Sequence, residues 1–134
     1  MYQQQPRKKA LIIGINYFGS QHELQGCIND AMNVKHFLVN DRGFYDSQHD
    51  MVVLTDHPQN RGTPFYPTGA NMMAAFRWLT SYNQPGDILW LSYSGHGGMA
   101  ASIPVVYGEG PPSSHKVKAR FGIRMAIETP GRAV

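Results

Sequence analysis

Gly86-Asp87-Ile88-Leu89-Trp90-Leu91-Ser92-Tyr93-Ser94-Gly95-His96-Gly97-Gly98 is the stretch on which the reading of the fold turns. Its apolar run, Ile88 to Leu91, follows a Pro85-Gly86 turn and stops abruptly at small residues, the pattern of a short buried strand in a covered parallel sheet. The strand is expected over Asp87 to Tyr93, with His96 in the loop beyond it. In open α/β sheets, ligands and chemistry gather beyond the carboxyl ends of such strands. Gly95, Gly97 and Gly98 leave the approach to His96 unhindered by side chains and allow positive φ. The loop can therefore present an imidazole beside a bare backbone N–H, the general base and oxyanion donor that acyl transfer requires. The same residues also fit a glycine-rich turn whose histidine only caps the strand end.

Working outward, Ala10 to Ile15 is a β-branched-rich apolar run ending at Asn16-Tyr17, a central strand buried on both faces. Asn29 or Asp30 can cap the helix that follows, with Ile28, Met32, Val34, Phe37 and Leu38 on its apolar face and Gly43 as its stop. Met51 to Leu54 is a second short strand, and the strand, helix, strand order is the βαβ unit of a parallel sheet. After a proline-rich loop, Thr68 caps a helix reaching to about Tyr82, with Met72, Met73, Ala75, Phe76 and Leu79 at helical spacing. Its methionines read as core filler. Residues 1–8 are expected to be a disordered lead-in and residues 9–98 a three-strand α/β half-domain.

Beyond Gly98 the character changes. Residues 99–134 hold Gly108 to Ser114, a glycine, proline and serine cluster, and show no sustained period apart from short candidate strands at Ile103 to Tyr107 and Phe121 to Ile127. An irregular, poorly ordered tail is expected. The net charge of +3 resides there: residues 1–98 carry seven basic and seven acidic side chains, the tail five and two. Without interleaved aromatics or a recognised motif, that basic tail does not read as a nucleic-acid binder.

No apolar run approaches the ~18 residues of a membrane span, and Met1 to Lys9 lacks the apolar core of a secretory signal, so no membrane partner is expected and a cytoplasmic or nuclear location is. Cys27 is the single cysteine, which excludes an internal disulfide and a multi-cysteine metal site and fits a reducing compartment. His22, His36, His49, His57 and His115 share no metal-ligand spacing and read as loop or surface residues.

Four ordered blocks carry a resemblance: Lys9 to Tyr17, Leu24-Gln25-Gly26-Cys27-Ile28-Asn29-Asp30-Ala31, Pro67-Thr68 through Ala70-Asn71-Met72, and Tyr93-Ser94-Gly95-His96-Gly97-Gly98. Together they resemble a fungal type I metacaspase over Lys8 to Gly98, the first part of its catalytic domain. The resemblance implies a caspase-hemoglobinase-like parallel α/β sheet, truncated here after the third strand. It also implies a cysteine endopeptidase that cuts protein or peptide substrates after Arg or Lys, commonly with calcium, in regulated cell death and protein quality control. By that resemblance His96 is the base of a His/Cys dyad, the Gly97 N–H belongs to the oxyanion hole, and Asp30 and Ser94 line the pocket for the basic side chain. A carboxylate at a pocket floor does select guanidinium or ammonium by charge-assisted hydrogen bonding.

After Gly98 the chain departs from the family pattern, which continues through an acidic segment to an Asp-Ser-Cys-His-Ser-Gly block holding the nucleophile. Residues 99–134 contain no Cys and no Asp, so neither the nucleophile nor the acidic calcium ligands can be placed there. Cys27 is an accessory candidate, against which stands the usual burial of free cysteine and the need of a reactive thiol for exposure and a neighbouring base. The expectation is a truncated, inactive form of a peptidase. The alternative is a non-catalytic fragment that associates with a full-length metacaspase. A histidine-dependent hydrolase using Ser113 is a weaker third reading, because no G-x-S-x-G elbow is present. Incomplete cover of the first and third strands predicts marginal folding.

Overall fold

The computed structural model describes residues 6–97 and the backbone of residues 117–126. Strand β1 (Lys8–Gly14) is followed by helix α1 (Cys27–Asp41), strand β2 (Met51–Thr55), a 3-10 turn (Pro58–Asn60), helix α2 (Gly69–Thr80), and strands β3 (Ile88–Gly97) and β4 (Val117–Ala126). The sheet order is β2-β1-β3-β4, with β1 parallel to both neighbours and β4 antiparallel to β3. The three parallel strands and two helices are the α/β arrangement expected of a caspase-like fragment.

β1 is the centre of the molecule because alternate side chains along a strand face opposite ways and those from Ala10 to Ile13 are all apolar. Leu11 and Ile13 pack with Leu54, Leu89 and, from α2, Ala75 and Leu79. Ala10 and Ile12 pack with Met51, Phe44 and, from α1, Ala31 and Leu38. Residues Ala10 to Ile13 are all within 1% of complete burial. The incomplete cover expected for the first strand is therefore not found, since one helix closes each face. On β3, Leu89 is buried while Trp90, Leu91 and Tyr93 are half-buried.

Gly14 sets the distance between β1 and α1: a Cβ there would lie 2.5 Å from the Cys27 carbonyl oxygen and 2.8 Å from the Ala31 Cβ. Only glycine admits that approach. On the other face, buried Lys9 donates through Nζ to the carbonyls of Trp78 (2.7 Å) and Ser81 (3.0 Å) and to Asn83 Oδ1 (3.0 Å). A lysine thus closes the carbonyl end of α2, where a cation is favoured.

Four expectations change. Arg7 and Lys8 do not belong to a disordered lead-in, since Arg7 bonds through its N–H to Asp87 Oδ1 (2.8 Å) and pairs with Asp50 (3.1 Å), and Lys8 opens β1. The N-cap position of α1 is Gly26, which has no side chain to cap with, rather than Asn29 or Asp30. β3 does not end at Tyr93 but runs to Gly97, so His96 stands in a strand and not in a loop. The tail contributes a ten-residue strand, Val117–Ala126, which starts four residues before the expected Phe121 to Ile127. The candidate strand at Ile103 to Tyr107, and Ser113, lie outside the described residues. Among the described residues no helix is long and apolar enough to cross a membrane.

Candidate active site

The carboxyl ends of the parallel strands share one edge of the sheet, and the polar residues just past them build the site. β3 outruns β1: their register ends at Gly14 and Ser94, and the Ile15 N–H donates to the Ser94 carbonyl (2.9 Å) as the last rung. His96 therefore has no β1 partner for its peptide groups. Two tyrosine hydroxyls replace the missing strand. The His96 N–H donates to the Tyr17 hydroxyl (3.2 Å), and the Tyr93 hydroxyl donates to the His96 carbonyl (2.7 Å). With the Tyr93 proton so committed, the 3.1 Å contact between the hydroxyls has Tyr17 as donor. Burial, then the bond to Tyr17, pushes the Tyr93 phenol well above its usual range, which keeps its proton in place. Gly95 is required beneath this pair, because a Cβ there would stand 2.8 Å from the Tyr93 hydroxyl.

The imidazole of His96 is fixed by a second set of contacts. Its ring lies 4.4 Å from that of Tyr17, and the His22 ring stands edge-on at 6.0 Å. Nε2 meets the backbone carbonyl of His22, an oxygen that can only accept, so Nε2 carries the proton. In the neutral ring Nδ1 then holds the lone pair. Nδ1 is buried and has no hydrogen-bond partner among the described residues. An imidazole with one nitrogen anchored and the other unengaged is arranged to accept a proton at Nδ1.

Asp30, in the first turn of α1, accepts a hydrogen bond at Oδ2 from the buried Ser94 hydroxyl (2.9 Å). Two residues 64 positions apart in sequence are thus brought together one step along β3 from His96. The helix N-terminus favours the negative charge.

α1 is aimed by Asn16 and Asp56. Asn16 Oδ1 accepts from the N–H groups of Cys27 (2.9 Å) and Ile28 (3.3 Å), so the cap of α1 comes from the end of β1. The buried carboxylate of Asp56, just past β2, accepts from the N–H of Asn16 (2.9 Å) and of Tyr17 (2.7 Å). It holds the turn in which Tyr17 adopts a φ of 58°. Sequence reasoning passed over Asn16, Tyr17, Asp56, Tyr93 and the His22 carbonyl. The available signal was position: polar residues directly after buried strands sit where the sheet opens.

Cys27 is completely buried at the first residue of α1. That burial removes the exposure a nucleophilic thiol needs. Gly97 pairs with Val117 in the β3–β4 ladder. Among the described residues no three His, Cys, Asp or Glu side chains gather as a metal-holding group.

A family model described as "Metacaspase, peptidase C14 domain" matches residues 8–104. Metacaspase-1 of Mycosarcoma maydis is 55% identical over 96 residues, which cover 72% of this chain and 23% of that protein. Metacaspase-1 of Schizosaccharomyces pombe is 48% identical over 99 residues, covering 74% and 22%. Metacaspase-1 of Saccharomyces cerevisiae strain S288c is 50% identical over 97 residues, covering 72% and 22%. The matched part of the chain thus spans less than a quarter of the length of these curated relatives. The match takes in every element of the parallel sheet together with Asp30, Ser94 and His96, and on that ground this chain belongs to the metacaspase family of C14 peptidases.

Proposed function

We propose that this chain carries the recognition carboxylate and the general base of a caspase-like cysteine endopeptidase that cuts after Arg or Lys. The observation that carries the reading is the Ser94–Asp30 hydrogen bond, which sets a carboxylate beside His96 at the open edge of the sheet. A carboxylate oriented by a hydroxyl is a receptor for a guanidinium or ammonium. In the acylation step His96 Nδ1 takes the proton of a thiol, the thiolate attacks the scissile carbonyl, and the Gly97 N–H, once released from its pairing with Val117, supports the oxyanion. The proton then passes from His96 to the leaving amine.

The thiol must come from elsewhere, because Cys27 is buried and is the single cysteine of the sequence. Chain alone, the expected activity is recognition without cleavage, in the cytoplasm or nucleus. The same shortage of a thiol supports the second use, a fragment that associates with a full-length metacaspase. The test is binding of a blocked dipeptide amide ending in Arg, against its Leu counterpart, by isothermal titration. Preference for Arg that Asp30→Asn abolishes supports the reading; equal binding of both peptides overturns it. Hydrolysis of an Arg peptide by the chain, persisting in Cys27→Ser, would show that the chemistry is not thiol-based.

A further inference from the structure

The peptide groups of His96 belong to a closed circuit of three hydrogen bonds. The His96 N–H donates to the Tyr17 hydroxyl (3.2 Å), Tyr17 donates to the Tyr93 hydroxyl (3.1 Å), and Tyr93 donates to the His96 carbonyl (2.7 Å). Each hydroxyl gives one proton and receives one, so the circuit runs in a single direction, and hydrogen bonds joined in this way strengthen one another.

The bond from Tyr93 reaches past His96. The carbonyl it holds belongs to the peptide unit that also carries the Gly97 N–H, and in a planar trans peptide these two groups point opposite ways. The Ser94 carbonyl faces β1, where it accepts from Ile15, and strand alternation turns the peptide groups of Gly97, three residues on, toward β4 and its partner Val117. Glycine after the peptide leaves the plane free to turn over, because Gly97 takes positive φ as readily as negative. The orientation of the plane is therefore set by the bonds at its two ends. When the N–H leaves Val117 to meet an oxyanion, the Tyr93 end is the one that remains.

We propose that Tyr93 is the positioning residue of the oxyanion donor: its hydroxyl, held on the His96 carbonyl, aims the Gly97 N–H. This rests on the reading of Gly97 as that donor. Tyr93 touches no reacting atom and acts through one peptide plane. Because the carbonyl in that plane is the one of His96, the same bond fixes base and donor relative to each other.

The experiment uses the full chain labelled with 13C and 15N. In a carbonyl-correlated amide spectrum one cross-peak joins the Gly97 N–H to the His96 carbonyl carbon, so it reports both ends of the plane. Tyr93→Phe is expected to move that carbon upfield, as loss of its hydrogen bond requires. It is also expected to speed hydrogen exchange of the Gly97 amide about fivefold more than that of Leu89 and Leu91 in the same ladder. In parallel, a blocked dipeptide ending in Arg is compared as its free carboxylate, whose oxygen stands in for the oxyanion, and as its amide. The unmodified chain is expected to prefer the carboxylate, and Tyr93→Phe to lose that preference while keeping the choice of Arg over Leu, which belongs to Asp30. Unchanged His96 and Gly97 signals in Tyr93→Phe overturn the proposal, and the reading of Gly97 is then judged by the carboxylate preference of the unmodified chain. Equal acceleration of Leu89, Leu91 and Gly97 overturns it as well, because Tyr93 then contributes to stability alone. Equal binding of carboxylate and amide by the unmodified chain removes Gly97 as the donor and the proposal with it. Should Tyr93→Phe not fold, Gly95→Ala, whose Cβ would stand 2.8 Å from the Tyr93 hydroxyl, displaces that hydroxyl without removing it and is judged by the same signals.

Discussion

The carboxylate of Asp56 holds the backbone N–H of Tyr17 at 2.7 Å, joining the end of β2 to the turn that follows β1. Through Tyr17 that bond reaches the peptide of His96. Asp56→Ala would leave the N–H groups of Asn16 and Tyr17 without their acceptor in a buried place, at a cost of about 2–3 kcal/mol. Urea denaturation measures this, and a loss below about 0.5 kcal/mol, the range of a neutral surface change, would contradict it.

Gly14→Ala inserts a methyl group where the Cys27 carbonyl and Ala31 already stand. α1 must move outward, which costs about 1–3 kcal/mol and carries Asp30 away from Ser94. The expected result is a lower denaturation midpoint together with weaker binding of an Arg peptide. Unchanged stability would mean that the helix is less firmly seated than its contacts imply.

Lys9 gives a pH dependence. Burial, and then the Arg7 guanidinium, lower its pKa from the usual 10.5, against an opposing pull from Asp87. Between that lowered value and 10.5 the unfolded chain binds the proton more tightly than the folded chain. Stability therefore rises with pH across this window and falls as pH drops through it. Lys9→Met removes that slope and also costs about 2 kcal/mol at neutral pH, because the carbonyl end of α2 loses its cap. Midpoints for both proteins at neutral pH and at the top of the window decide the matter, and an equal pH slope in the two would exclude Lys9 as its source.

The Trp90 indole N–H is buried without a hydrogen-bond partner among the described residues, while its ring meets that of Phe37 edge-on at 6.4 Å. Trp90→Phe discards the unpaired donor and keeps an aromatic ring. Stability should stay within about 1 kcal/mol of the original. A loss of 3 kcal/mol or more, the scale of an emptied aromatic site, would show that packing of the larger ring dominates.

The parallel sheet was legible because its strands are continuous apolar runs and its second helix opens on a side chain that caps it, Thr68 Oγ1 accepting from the Asn71 N–H at 3.1 Å. β4 was harder to read. Its alternation of apolar and basic residues is broken by Gly122 and gains its meaning from pairing with β3, a partner distant in sequence. The extension of β3 through Ser94-Gly95-His96-Gly97 was hidden for the same reason, since small residues signal a turn until a neighbouring strand straightens them. Asp30 and Ser94 could be linked only through the family resemblance. The cap of α1 by Asn16, eleven residues upstream of Cys27, follows no local rule that a sequence displays.

β1 divides its side chains between two helices, Ala10 and Ile12 toward α1 and Leu11 and Ile13 toward α2, with none of these four left in solvent. Exchanging Ile for Val or Leu within it disturbs one neighbour at a time. Inserting or deleting a single residue between Lys8 and Gly14 would instead hand every side chain to the opposite helix and withdraw Lys9 from the end of α2. The length of this segment is thus held more tightly than its spelling, and related chains should vary here by substitution and never by an indel.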